Sequence, residues 1–292
     1  MDPISPTPIL TASRALGLAL VAVVALACDE DRLFIVPDPP DTGIEDTGFT
    51  DLGSPDFGLP DLGPPDLGAP ATEPIYIHTG DTLYSYDPVA HRATWIGRFE
   101  TLGGELIEPM VDVAIDARGV MYGGSGASRD PKRVFRIDPG TGRCTFLFEV
   151  DDNLNGMAFD GLGRLVAAGE TLRVLDPSTG RTVVTFEDAG SRFTTSGDVV
   201  GLPDGNLYWT VRGEADGEAD RLVRLDPSTG RPALLGSLGV DRLFGLGYAQ
   251  GELFGFTPSG EVVVIDPASG RVLEARSLEG RWFGATANPV LW

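Results

Sequence analysis

Leu222-Val-Arg-Leu-Asp-Pro-Ser-Thr-Gly-Arg231 decides the fold, because the chain carries five versions of it. The others are Leu83-Tyr-Ser-Tyr-Asp87-Pro88, Val134-Phe-Arg-Ile-Asp138-Pro-Gly-Thr-Gly142, Leu172-Arg-Val-Leu-Asp176-Pro-Ser-Thr-Gly180 and Val262-Val-Val-Ile-Asp266-Pro-Ala-Ser-Gly270. Each reads as a strand, a tight turn and a second strand. Proline presets φ at the second turn position, aspartate accepts from the turn's own backbone, and glycine takes the left-handed position. The aspartates stand 51, 38, 50 and 40 residues apart, the period of a propeller blade.

A second hairpin lies between the copies. It runs through Val111–Tyr122, Gly156–Val166, Asp198–Tyr208 and Gly245–Phe254, each with a short apolar strand, a glycine-containing turn and another apolar strand. Two hairpins per period make four strands, one blade of a β-propeller. The 26 residues after Asp266 and the 13 from Ile75 to Asp87 together supply one further period. The expectation is an all-β domain over 75–292: five four-stranded antiparallel blades, with Ile75 onward giving three strands of a split blade and the segment from Trp282 to Asn288 giving its first. Closing the ring is expected to remove the sheet edges. Small residues in the first strands, Ala114, Ala158 and Gly284, let the blades converge on the axis.

Residues 15–27 form an uncharged apolar run behind Arg14, short for a membrane span but suited to the core of a secretory signal. The run ends in Ala25-Leu26-Ala27-Cys28 and resembles the lipobox of bacterial lipoproteins, which implies lipidation of Cys28 as the mature N-terminus. A plain signal peptide cut near Ala27 is the alternative. Residues 28–74 read as a disordered tether: Asp51-Leu-Gly-Ser-Pro55 and three further pentads repeat Asp, Gly and Pro every five residues, which denies them both a ladder and a core. Calcium binding by these aspartates is weighed and set aside, because calcium loops crowd several oxygens into a single turn.

Net charge is −21 over 292 residues, with twelve acids against one arginine in 29–74 and thirty acids against twenty arginines and lysines in 75–292. That balance argues against nucleic acid and anionic lipid surfaces as partners. Of the two cysteines, Cys144 reads as a small buried thiol. His78 and His91 have no cysteine or acid at ligand spacing, so no metal is expected. No P-loop, dinucleotide fingerprint or Gly-x-Ser-x-Gly elbow occurs.

The Leu-x-x-Leu-Asp-Pro-x-Thr-Gly-Arg repeat is similar to the Asp-x-x-Thr-Gly repeats of YVTN, NHL-type and quinoprotein propellers, across nearly all of 75–292. The repeat tryptophan and extra blades of quinoprotein dehydrogenases are missing, so no cofactor is expected. Bacterial glutaminyl cyclases are similar in this turn, without their Phe-Thr-Gln-Gly-Leu and Leu-Asn-Glu-Leu-Glu signatures here.

The short turns after the first and third strands repeat and so read as structural. The connections on the other face vary: Glu100–Met110, Glu149–Asn155, Glu187–Gly197 and Ser237–Leu243, with expanded hairpin loops at Gly123–Arg133 and Arg212–Arg221. Variable loops on a rigid ring are where binding resides. Asp112, Asn155, Asp198, Arg242, Arg281 and Trp282 are expected near the channel mouth on that face, to orient a small polar or sugar-like ligand or else to serve as ordinary rim residues with Trp282 wedged between blades. The functional expectation is a monomeric, lipid-anchored binding module of the cell envelope, whose partner is an envelope protein or a glycan. The alternative is an enzyme, cyclase-like or a glycan hydrolase using Asp112 and Asp198.

Overall fold

In the computed structural model, which describes residues 74–126, 131–151, 153–215 and 217–289, the first repeat folds into β1 (Ile75–His78), β2 (Thr82–Asp87) and β3 (Arg92–Arg98). A two-residue strand, β4 (Glu100–Thr101), precedes the second blade: β5 (Met110–Ile115), β6 (Met121–Ser125), β7 (Lys132–Ile137) and β8 (Arg143–Val150). The third holds β9 (Gly156–Phe159), β10 (Leu165–Ala168), β11 (Leu172–Leu175) and β12 (Thr182–Thr185). A short helix, α1 (Glu187–Arg192), leads to the fourth: β13 (Thr195–Gly201), β14 (Leu207–Val211), β15 (Arg221–Asp226) and β16 (Arg231–Ser237). The fifth is β17 (Gly245–Ala249), β18 (Glu252–Phe256), β19 (Glu261–Ile265) and β20 (Val272–Ser277), followed by β21 (Gly284–Thr286).

The last strand, β21, pairs antiparallel with β1, placing Ala285 opposite Ile77 and Gly284 opposite His78. The first blade therefore runs β21-β1-β2-β3, and the five-bladed propeller closes through a split blade as the repeat count predicts. A side-chain latch adds to the closure: His91 Nε2 lies 2.9 Å from the Ser277 carbonyl of β20, and Tyr86 Oη lies 2.8 Å from His91 Nδ1. The signal segment, Cys28 and the tether up to residue 73 lie outside the described residues.

The turns behave as their chemistry requires. Asp138, Asp176, Asp226 and Asp266 each accept from the backbone N–H two residues on. Gly142, Gly180, Gly230 and Gly270 hold φ between 70° and 75°. Hydroxyls of Ser178, Ser228 and Ser269 on the last three carboxylates hold them below the usual carboxylate range. In the first copy His91 takes the left-handed position, at φ 46°, and its two ring contacts fix it there.

Burial falls into five clusters, one between each pair of neighbouring blades. Trp209 sits between the third and fourth blades among Val166, Val174, Val199 and Val223. Trp282 sits between the fifth and first among Ile77, Tyr86, Phe254 and Phe256. A sheet packed on both faces buries apolar residues of both pleat faces, which explains the unbroken runs Val134-Phe and Val262-Val-Val.

Three features depart from expectation. Strand β4 pairs in parallel with β8 and adds a fifth strand to the second blade. Helix α1 occupies the Glu187–Gly197 connection: Glu187 and Asp188 in its first turn and Arg192 in its last suit the dipole, and flanking Phe186 and Phe193 are buried in the core between blades three and four. Ring closure also leaves the outer edges in place. Strands β3, β8, β12, β16 and β20 each form a sheet edge, β8 being partly covered by β4. Every third-to-fourth strand pair carries a register shift, at Leu83/Tyr84, Val134/Phe135, Val174/Leu175, Leu222/Val223 and Val264/Ile265. These irregularities, not closure, blunt the edges against pairing with another chain.

Candidate binding site

The innermost strands β5, β9, β13, β17 and β21 bring their N-terminal ends together on the face that bears the variable loops. A cavity of about 330 Å³ opens there, lined by Met110, Asn155, Ser196, Arg212, Phe244 and Phe283 among others. Each of these lies at or just before the start of an innermost strand, except Arg212, which begins an expanded hairpin loop. The walls are mainly apolar, and the polar side chains come from two blades, Asn155 from the third and Ser196 and Arg212 from the fourth.

Asp112 and Asp198 lie deeper, because each follows the cavity-lining residues by one or two positions along β5 and β13. Both are fully buried. Asp112 Oδ2 accepts from the Met157 N–H of the third blade at 2.5 Å. Asp198 Oδ2 accepts from the Leu246 N–H of the fifth blade at 2.6 Å, and its Oδ1 from its neighbour Val199 at 2.6 Å. The two carboxyls also hydrogen-bond to each other, which requires a proton between them. Burial pushes Asp112 up to about 8. Burial, and then the charge of Asp112, raises Asp198 well above its ordinary value. The pair therefore pins four blades together at the axis.

His78 completes this group. It is fully buried, its Nδ1 donates to the Thr79 carbonyl at 2.7 Å, and its Nε2 faces Asp112 Oδ1 at 3.9 Å. Burial lowers its pKa to about 4, so the ring is neutral at physiological pH. A Cβ on Gly284 would run into both His78 Nε2 and Asp112 Oδ1; glycine at that point of β21 lets the innermost strands close on the axis.

Around the mouth, Asn155 lines the cavity. Arg242 and Arg281 flank a second recess of about 210 Å³ with Asp241, Pro258 and Ser259. Trp282 is buried between blades, and its indole N–H donates to the Leu278 carbonyl at 3.3 Å. Of the six residues expected at the mouth, the structure thus brings Asn155, Arg242 and Arg281 to the loop face. It places Asp112 and Asp198 beneath that face and Trp282 in the wall of the ring. Sequence reading passed over His78 as a partner for an acid, since 34 positions separate it from Asp112. It also passed over Phe244 and Phe283, although Arg242-Leu-Phe-Gly245 and Arg281-Trp-Phe-Gly284 repeat one pattern. Among the described residues no group of three or more His, Cys, Asp or Glu is arranged to hold a metal ion. Cys144 is a buried thiol that donates to the Gly142 carbonyl, and burial pushes it up to about 12.

No family model matches the sequence, and no curated protein matches it. Solved structures do align with the chain. A protein of unknown function from Bacteroides caccae aligns at 11% identity over 74% of this chain and 98% of its own, with TM-score 0.45. BamB from Moraxella catarrhalis aligns at 16% identity over 72% and 71%, with TM-score 0.35. The computationally designed Ika8 protein aligns at 15% identity over 75% and 63%, with TM-score 0.36.

Proposed function

We propose that the chain is a binding module that works through the loop-bearing face of its propeller, held at the bacterial cell envelope by a lipid on Cys28 and the tether that follows. The observation that carries this reading is the mouth cavity, which opens between innermost strands fixed by the Asp112–Asp198 pin and is bordered by loops of unequal length. A rigid ring with variable loops supplies a preorganised surface. Its partner is an envelope protein or a glycan.

What supports binding over hydrolysis is how the two acids are used. A glycosidase holds two carboxyls on either side of the scissile bond, open to substrate and about 5–10 Å apart. Asp112 and Asp198 are hydrogen-bonded to each other and to backbone amides, with no exposed surface. Affinity capture from an envelope extract, beside a glycan array, tests the proposal. A ligand whose binding is lost on changing Arg212 and Asn155 is expected; capture that ignores the loop face, or turnover of a glycan, defeats it.

A further inference from the structure

Blades five and one lead into their innermost strands with the same four-residue pattern, Arg242-Leu-Phe-Gly245 and Arg281-Trp-Phe-Gly284. Leu243 and Trp282 are buried between blades, and Phe244 and Phe283 are half-buried walls of the mouth cavity. Each arginine is exposed and stacks on the phenylalanine two residues on, its guanidinium carbon 5.6 Å and 5.5 Å from the ring centroids. Gly245 and Gly284 bring the two strands into contact, since a Cβ on Gly245 would lie 2.9 Å from the Gly284 carbonyl carbon. Both arginines line one recess from adjacent blades.

Among the described residues neither Arg242 nor Arg281 forms an ion pair. Arg242 is also held at φ 57°, and Arg281 follows Gly280 at φ 137°. The left-handed region is sterically costly for a long side chain, so the chain holds Arg242 in a conformation it disfavours. Two guanidiniums outside any ion pair, each over an aromatic ring that lines an apolar cavity, suit a ligand that supplies an anion and an apolar body. Planar guanidiniums favour a planar carboxylate.

Building on the binding-module reading above, we propose that the mouth takes a ligand with an apolar body and a carboxylate: the body against Phe244 and Phe283, the carboxylate on Arg242 and Arg281. Asp241 lines the same recess and would disfavour a second negative charge, so a monocarboxylate fits better than a dianion. A cavity of about 330 Å³ is at the small end of ligand sites, the size of one aromatic or branched side chain. Such a group occurs in a free aryl- or alkyl-carboxylic acid and at the C-terminus of a chain.

Calorimetric titration of the full chain tests this with three probes: N-acetyl-phenylalanine, its uncharged amide, and 3-phenylpropionate. Both acids, or the free acid alone, should bind with millimolar or better affinity, and the amide at least about tenfold more weakly than its acid. Binding by N-acetyl-phenylalanine would point to a chain end, and by phenylpropionate alone to a free acid. Arg242→Gln with Arg281→Gln should erase the difference between acid and amide, while Asp241→Asn should tighten acid binding a few-fold. Both changes are at exposed positions, and an unaltered thermal transition confirms that the ring is intact. Equal binding of acid and amide, no binding of any probe, or full acid binding by the double variant would overturn the proposal. Loss of these probes with retained capture of an envelope partner leaves the binding-module reading standing; probe binding without any capture defeats only the envelope partner.

Discussion

At the scale of single residues, the axis joins two acids and a histidine whose protons move in opposite senses. Asp112 and Asp198 keep their protons to higher pH when folded than when unfolded. The Asp112 contribution to stability is therefore complete below about pH 4 and is lost as pH rises towards about 8, and that of Asp198 is lost in the same direction. His78, lowered to about 4 in the fold, contributes fully above about pH 6.5 and loses that contribution as pH falls towards 4. The two effects oppose each other between about pH 4 and 6.5, and above that range the acid pair acts alone. Urea unfolding should show stability falling between about pH 6.5 and 8, by about 2 kcal/mol for each proton retained. Asp112→Asn leaves an oxygen for the Met157 amide and offers Asp198 a permanent donor, so it should flatten the fall; an equally steep profile in the variant would show that the pair is not its source. Gly284→Ala tests the same point sterically. Its methyl collides with His78 and Asp112, and overpacking of this kind costs about 1–3 kcal/mol, readable as a lowered urea midpoint at unchanged slope.

At the scale of elements, the propeller depends on a three-residue strand. Strand β21 holds the first and last segments of the chain in one sheet, and Trp282 just before it fills the gap between blades five and one. Trp282→Ala should cost about 3–5 kcal/mol, and deletion of residues 283–292 should abolish the cooperative thermal transition and the near-ultraviolet dichroism; a folded, soluble truncation would show that closure is dispensable. The element pattern was legible in the sequence because turn chemistry is local. Asp, Pro and Gly fix φ within a few residues, and the repeat multiplies the signal five times. Strand β4, helix α1 and the edge bulges were not legible, since each is a response to a neighbouring element. Strand β4 exists only because β8 presents an open edge. The site divides along the same line. Arg242, Arg281 and Asn155 were readable from their place in the connections. The burial of Asp112 and Asp198 depends on how closely five strands approach one axis, although Val-Asp-Val and Asp-Val-Val, acids among apolar strand residues, were a local hint of it.

At the scale of the whole molecule, charge decides how the chain meets a membrane. The stretch 29–74 carries a net −11 and the segment 75–292 a net −10, so both are repelled by anionic lipid at distances up to about a Debye length of 8 Å at physiological salt. No described helix is long and apolar enough to span a bilayer. If the protein is membrane-bound, the attraction must be hydrophobic and local, and the lipobox-like Ala25-Leu-Ala-Cys28 is where the sequence offers it. On this account the wild-type protein should stay in the membrane fraction through a wash at about 0.5 M salt, where exposed charge contacts are largely screened, and should leave it with detergent. Cys28→Ser should move it to the soluble fraction without changing its thermal transition, because Cys28 precedes the propeller by more than 40 residues. Wild-type protein already soluble would instead support cleavage as a plain signal peptide near Ala27. A Cys28→Ser protein that remains with membranes after the wash would place the anchor on the propeller itself, and the exposed Trp95, Val183 and Leu273 of its outer strands would be the first positions to change.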